Sequence, residues 1–127
     1  MSAGISVVQA HLGGDAPAHL YAQLAQTRLL NPDVPIYLIL SAGASFDAEA
    51  IDRLGVVVVR KEGLALCENH RRFLRRNRLD KRFWGGFWLY SSERFLAIES
   101  FLEACRLGDI VHMENDVMLY ARLEELA

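Results

Sequence analysis

The apolar residues of this chain fall in short unbroken runs rather than in alternation. Ile5-Ser6-Val7-Val8-Gln9-Ala10-His11 is rich in β-branched residues and stops at Gly13-Gly14, which predicts a buried strand ending in a flexible turn. The runs Pro35 to Ser41 and Val56 to Val59 are continuous, the pattern of strands covered by helices on both faces. Between the first two runs, Leu20, Tyr21, Leu24 and Ala25 recur at helical spacing as far as Asn31-Pro32. Asp15 is placed to cap that helix, with Pro17 in its first turn. A second helix is expected from about Asp47 to Leu54, ahead of Gly55. The order is βαβαβ.

Beyond the third strand the pattern changes. Leu66 to Arg78 reads as a basic helix whose second half has Phe73 and Leu74 as its bulky apolar residues, so a narrow core contact is expected. After Gly85-Gly86, Ser91 or Ser92 is placed to cap a helix carrying Phe95, Ile98, Leu102 and Cys105 on one face and ending at Gly108. The aromatic residues Phe83, Trp84, Phe87 and Trp88 are dense enough to be expected mostly in the core. Asp109 to Met113 is a fourth strand running into Glu114-Asn115-Asp116. Val117, Leu119 and Tyr120 then resume an apolar pattern, read as the start of a further helix.

Such alternation predicts one α/β domain over residues 1–127, a Rossmann-like, mostly parallel sheet of about four strands flanked by helices. In sheets of this kind ligands bind beyond the carboxyl ends of the strands, so candidate residues are sought there. Glu114 and Asp116, one residue apart, can both reach one divalent cation and present it to a diphosphate, because hard cations take oxygen ligands. On the motif alone, such a pair more often caps a helix or faces solvent. Arg94, one turn into its helix, is placed to reach a diphosphate or those carboxylates through its planar fork, or to form a structural ion pair. His11 and His112 end apolar runs, where a hydrogen bond at the sheet rim is the expected role. Gly13-Gly14 lets backbone approach a ligand, yet no G-x-G-x-x-G fingerprint supports a dinucleotide. No arrangement of Ser, Cys and His supports hydrolase chemistry.

Composition and charge narrow this further. A chain of 127 residues, 52% hydrophobic, has apolar material for one core. The start Met1-Ser2-Ala3-Gly4 lacks a basic, long-apolar leader, and no span is long enough to cross a bilayer, so a cytoplasmic protein is expected. Cys67 and Cys105 have neither disulfide-framework nor metal-ligand spacing and are expected to be reduced thiols in or near the core. A formal net charge of −2 hides an asymmetry, because most of the 14 Lys and Arg residues fall between Arg60 and Arg82. The stretch from His70 to Arg78 could meet an anionic membrane surface, a nucleic acid or a phosphorylated acceptor, or could be a solvated helix face. Nucleic acid ranks last, since the neighbouring aromatics are expected to be core rather than interleaved on the surface.

Gly86 to Phe95, followed by Gly108 to Tyr120, resembles the GT-A glycosyltransferases of the nucleotide-diphospho-sugar transferase superfamily, through an Arg-Phe helix leading to a strand with a DxD-like end. The resemblance implies a Mn²⁺ or Mg²⁺ ion held against the diphosphate of a nucleotide-diphospho-sugar. Asp116 would be its ligand, with Glu114, in place of the usual first Asp, near the ribose or the metal, and Asn115 between them. By position it implies nucleotide contacts from Ala10 and His11 in the loop after the first strand, and from Arg60 at the end of the third. It further implies a glycosyltransferase that passes the sugar to a glycan, lipid or protein acceptor. The acceptor half would lie beyond Ala127, so the chain reads as truncated, weakly active or inactive alone, and prone to self-associate through an exposed edge. Two other readings stay open: a non-catalytic nucleotide- or anion-binding module, and a basic interaction protein.

Overall fold

A computed structural model of the chain describes residues 4–126. Strands β1 (Ser6–His11), β2 (Ile36–Leu40), β3 (Val56–Arg60) and β4 (Ile110–Val111) form one sheet in the order β3-β2-β1-β4. Every neighbouring pair is parallel, with Val8 opposite Tyr37, Leu38 opposite Val58, and Val7 opposite Val111. Helices α1 (Ala18–Leu30) and α2 (Ala48–Arg53) connect neighbouring strands. Helices α3 (Glu68–Arg76) and α4 (Phe87–Cys105) carry the chain from β3 to the far side of β1.

Successive residues of a strand point to opposite faces, and this sorts the apolar runs into two cores. Val7, Ile36, Leu38 and Leu40 pack with Leu20, Leu24 and Ile51 on the face of α1 and α2. Val8, Ala10 and Ile39 pack with Ala97, Ile98 and Phe101 of α4 on the other. The fold is therefore a Rossmann-like α/β arrangement of an all-parallel sheet between helices. Two-sided burial holds for β1 and β2; in β3, at the sheet edge, Val56 is buried and Val57 exposed.

Local chemistry moves several expected boundaries. Pro17 is the residue preceding α1, and the Asp15 carboxylate instead accepts the Ser45 N–H at 2.7 Å, tying the loop after β1 to the loop after β2. Asp47 does cap α2, accepting the Ala50 N–H at 3.1 Å. Helix α4 starts at Phe87, upstream of Ser91 and Ser92, because Trp84, Gly85 and Gly86 take left-handed conformations that turn the chain into it. It stops at Cys105, with Arg106 at φ 49°. Its buried face carries Leu89, Ala97, Ile98 and Phe101, whereas Phe95 and Cys105 are exposed. The thiol expectation thus holds for the buried Cys67 and fails for Cys105; both are free. The aromatics Phe83, Trp84, Phe87 and Trp88 are exposed too, contrary to the core placement expected from their density.

After Asp116 the described residues form a 3-10 turn, Leu123–Glu125, in place of the expected helix. This tail is fixed to α1 by Asn31, whose side-chain amide donates to the Ala121 carbonyl at 3.1 Å and whose carbonyl accepts the Leu123 N–H at 2.7 Å. Leu123 and Leu119 thereby join the α1-side core. No described helix is long and apolar enough to cross a membrane.

Helix α3 is anchored by a polar contact rather than an apolar one. His70 is fully buried, with Nε2 2.7 Å from the Glu93 carboxylate and Nδ1 3.0 Å from Ser100 Oγ. Lys61 Nζ lies 3.2 Å from the same carboxylate, and Ser100 Oγ accepts the Cys67 N–H. Burying these groups is tolerable because each is partnered. Glu93→Ala would strip His70 and Lys61 of their shared acceptor and is expected to lower stability by about 3 kcal/mol. Breaking the exposed Glu49–Arg53 pair with Arg53→Ala should cost less than about 0.5 kcal/mol. Urea denaturation of the two variants measures both.

Candidate functional site

From β1 the chain moves to β2 on one side, while β4 lies on the other. At such a switch point the loops leave in opposite directions and open a crevice above the carboxyl ends of the strands. A cleft of about 390 Å³ sits there, formed by the Ala10–Gly14 segment, by Tyr90, Ser91 and Arg94 of α4, and by Glu114–Asp116 after β4.

The Glu114–Asp116 segment is positioned by side chains more than by sheet pairing, because β4 pairs through two residues. Gln9 on β1 and Gln23 on α1 are both fully buried on the α1 face. Gln9 Oε1 accepts the Met113 N–H at 3.0 Å, and Gln9 Nε2 donates to the side-chain oxygen Oε1 of Gln23. Gln23 in turn donates to the main-chain oxygens of Glu114 and Val117, the latter at 2.9 Å. The Val117 N–H closes the turn onto the Glu114 oxygen at 3.0 Å. Two amides thus clamp the backbone around the acidic pair.

Histidines complete the tie to β1. His112 Nδ1 donates to the Val8 carbonyl at 2.9 Å, and Asn115 Nδ2 donates to His11 Nδ1 at 2.9 Å. Burial pushes both imidazoles below the ordinary value of 6.5, against the opposing pull of the Asp15 backbone at His11 and of the Val8 carbonyl at His112. His19 adds to the lowering at His11, and the Arg94 charge does so at His112. Both are the rim hydrogen bonds expected from sequence.

Arg94 brings a positive charge to the same cleft. Its guanidinium lies 3.4 Å from the Glu114 carboxylate and 4.8 Å from the centre of the Phe95 ring. The Asp116 carboxylate has no hydrogen-bond or ion-pair partner among the described residues. Of the two acids, Glu114 is therefore paired with Arg94, and Asp116 is exposed and unpaired among the described residues. Among the described residues no three His, Cys, Asp or Glu side chains converge on one point. Two hard oxygen donors beside an arginine still fit an ion of the Mg²⁺ type, which is commonly held by one or two carboxylates with the rest of its shell from phosphate and water.

Tyr90 sets the shape of the opening. A Cβ on Gly13 (φ 87°) would lie 2.1 Å from the Tyr90 ring, and one on Gly86 (φ 82°) 2.5 Å from it. Both glycines are needed for the ring to sit between the β1 loop and the start of α4. On the far side of Tyr90 a second cleft of about 620 Å³ opens over the ends of β2 and β3, bordered by Gly43, Lys61 and Glu62. Arg60 lines neither cleft. Its guanidinium donates to the Ser41 and Ala44 carbonyls at 2.7 and 3.0 Å and covers the Phe46 ring, bracing the loop after β2.

The structure thus brings together Ala10, His11, Arg94, Glu114, Asn115 and Asp116, and leaves Arg60 apart. Sequence reasoning missed Tyr90, His19 and Trp84 at the cleft, and the Gln9–Gln23 clamp beneath it. A glutamine in the middle of an otherwise apolar strand was the available signal for the clamp.

Gln23→Leu would leave the Gln9 amide and two carbonyls unsatisfied. It is expected to cost about 2–4 kcal/mol and to speed hydrogen exchange at the Met113 and Val117 amides. For the histidines, the unfolded chain binds protons more readily than the folded one. The stability that their neutral forms contribute is complete above about pH 6.5 and is lost as pH falls from there through their folded values. Denaturation midpoints measured against pH should fall on acidification, and less steeply in His112→Gln.

Compared with known proteins, the chain matches no protein-family model, no curated protein and no solved structure.

Proposed function

We propose that the cleft binds a nucleotide-diphospho-sugar together with Mn²⁺ or Mg²⁺, as the donor side of a GT-A-type glycosyltransferase. The observation that carries the reading is the placing of Arg94, Glu114 and Asp116 at the switch point of an all-parallel sheet. Asp116 supplies an unpartnered carboxylate for the cation, and Glu114, shared with Arg94, reaches it directly or through water. Arg94 offers its fork to diphosphate oxygens, and the Ala10–Gly14 loop brings main chain close to the nucleoside. When bound, the cation would neutralise charge that builds on the leaving nucleoside diphosphate, a form of electrostatic catalysis. The Gln9–Gln23 clamp holds the acidic turn in place before ligand arrives, so little ordering is left to binding. The acceptor is a glycan, lipid or protein whose site these residues do not define.

A second reading is favoured by one observation: no three-ligand group converges among the described residues. It makes the cleft a metal-independent anion site centred on Arg94.

Titration calorimetry with UDP and with GDP separates the two. Donor binding predicts affinity raised at least about tenfold by Mn²⁺, a difference of roughly 1.4 kcal/mol, and loss of that gain in Asp116→Ala. Binding indifferent to Mn²⁺ and to Asp116→Ala, yet abolished in Arg94→Ala, selects the anion site. No binding of either nucleotide removes both.

A further inference from the structure

Between α3 and the first turn of α4 runs a band of cationic and large apolar side chains that neither core takes up. Phe83, Trp84, Phe87 and Trp88 are each more than half exposed, and Leu74 and Leu79 are exposed beside them. Arg71, Arg72, Arg75 and Arg76 are exposed on α3 itself. Arg78, Lys81 and Arg82 follow, all exposed, and Asp80 is the one acid between residues 71 and 88. Arg72 pairs with Glu68, but Arg75, Arg76, Arg78, Lys81 and Arg82 have no ion-pair partner among the described residues.

Trp84 adds an independent sign. It sits at φ 50°, ψ 41°, a left-handed conformation that a bulky residue rarely adopts, and its residue is 77% exposed. Backbone strain of this kind persists where the surroundings impose it, and here it turns an indole outward, away from both cores.

Tryptophans with basic side chains and projecting leucines are the chemistry of a bilayer interface. Indoles settle at headgroup level, arginines meet lipid phosphates, and leucines enter the acyl boundary. A nucleic acid fits less well. Leucines offer no π-face, and Phe87 meets Trp88 edge to face at 80°, which leaves no parallel platform for successive bases. We propose that the segment 71–88 docks the protein on an anionic lipid surface. Leu74, Leu79 and Lys81 border the larger cleft and Trp84 and Phe87 the smaller, so the docked face runs along the rim of both.

The test is co-sedimentation with phosphatidylcholine vesicles and with vesicles in which roughly a third of the lipid is phosphatidylglycerol. Two variants that touch neither cleft are compared with the wild-type chain: Arg75→Glu/Arg76→Glu and Trp88→Ser. The wild-type chain should bind the anionic vesicles, release them in high salt, ignore the neutral ones and show blue-shifted tryptophan emission when bound. The double charge reversal should weaken partition by at least about thirtyfold, at roughly fivefold per basic residue, and Trp88→Ser severalfold. Failure of the wild-type chain to distinguish the vesicles overturns the proposal. So does tighter binding to single-stranded RNA through the same arginines, which assigns the band to nucleic acid. Dimerisation abolished by Trp88→Ser without vesicle binding overturns it as well, in favour of a second copy of the chain.

Discussion

Two glutamine side chains under the sheet decide where the cleft can be. Gln9 and Gln23 are buried where apolar residues would pack more cheaply, and each of their four amide positions that could be left wanting meets a partner or main-chain group of the segment from Met113 to Val117. A short β4 gives that segment little ladder of its own, so the amides supply directional bonds that a sheet edge would otherwise provide. Directionality is what they add: an apolar contact would hold the turn near α1 without fixing its orientation.

The same division recurs elsewhere in the fold. Apolar side chains of the three longer strands, with Leu20, Leu24 and Phe101, hold the layers together. Polar hubs attach what lies outside them. Asn31 fastens the segment around Leu123, the His70–Glu93 pair fastens α3 to α4, and Arg28 gathers the carbonyls of Leu54 and Val34 at the base of the sheet. In each case a side chain supplies a hydrogen bond between segments that no strand or helix ladder joins.

What could be read from the sequence follows this division. Unbroken runs such as Ile36 to Leu40 disclose a strand covered on both faces, because that burial depends on each residue's own hydrophobicity. The acidic pair could be placed at the end of β4 for the same reason, since strand order and parallel pairing fix which loops meet. The aromatics between Phe83 and Trp88 misled, because hydrophobicity says that a side chain would gain from burial and not whether a surface exists to bury it. Left-handed Trp84, Gly85 and Gly86 turn them outward instead. The extra turn at the start of α4 was hidden in the same three residues. Gln9 stood out as a polar residue in a strand, but Gln23, His70 and Asn31 were silent, because a buried polar residue reveals itself through its partner, and their long-range partners stand 14 to 94 positions away.

The clamp grips only main-chain atoms of the turn it holds: the Met113 N–H and the oxygens of Glu114 and Val117. Side-chain identity at positions 114, 115 and 116 does not enter those bonds. The scaffold therefore separates the holding of the loop from the chemistry displayed on it. New side chains could be installed on the loop as on a fixed mount, with a change of ligand leaving the supporting amides untouched.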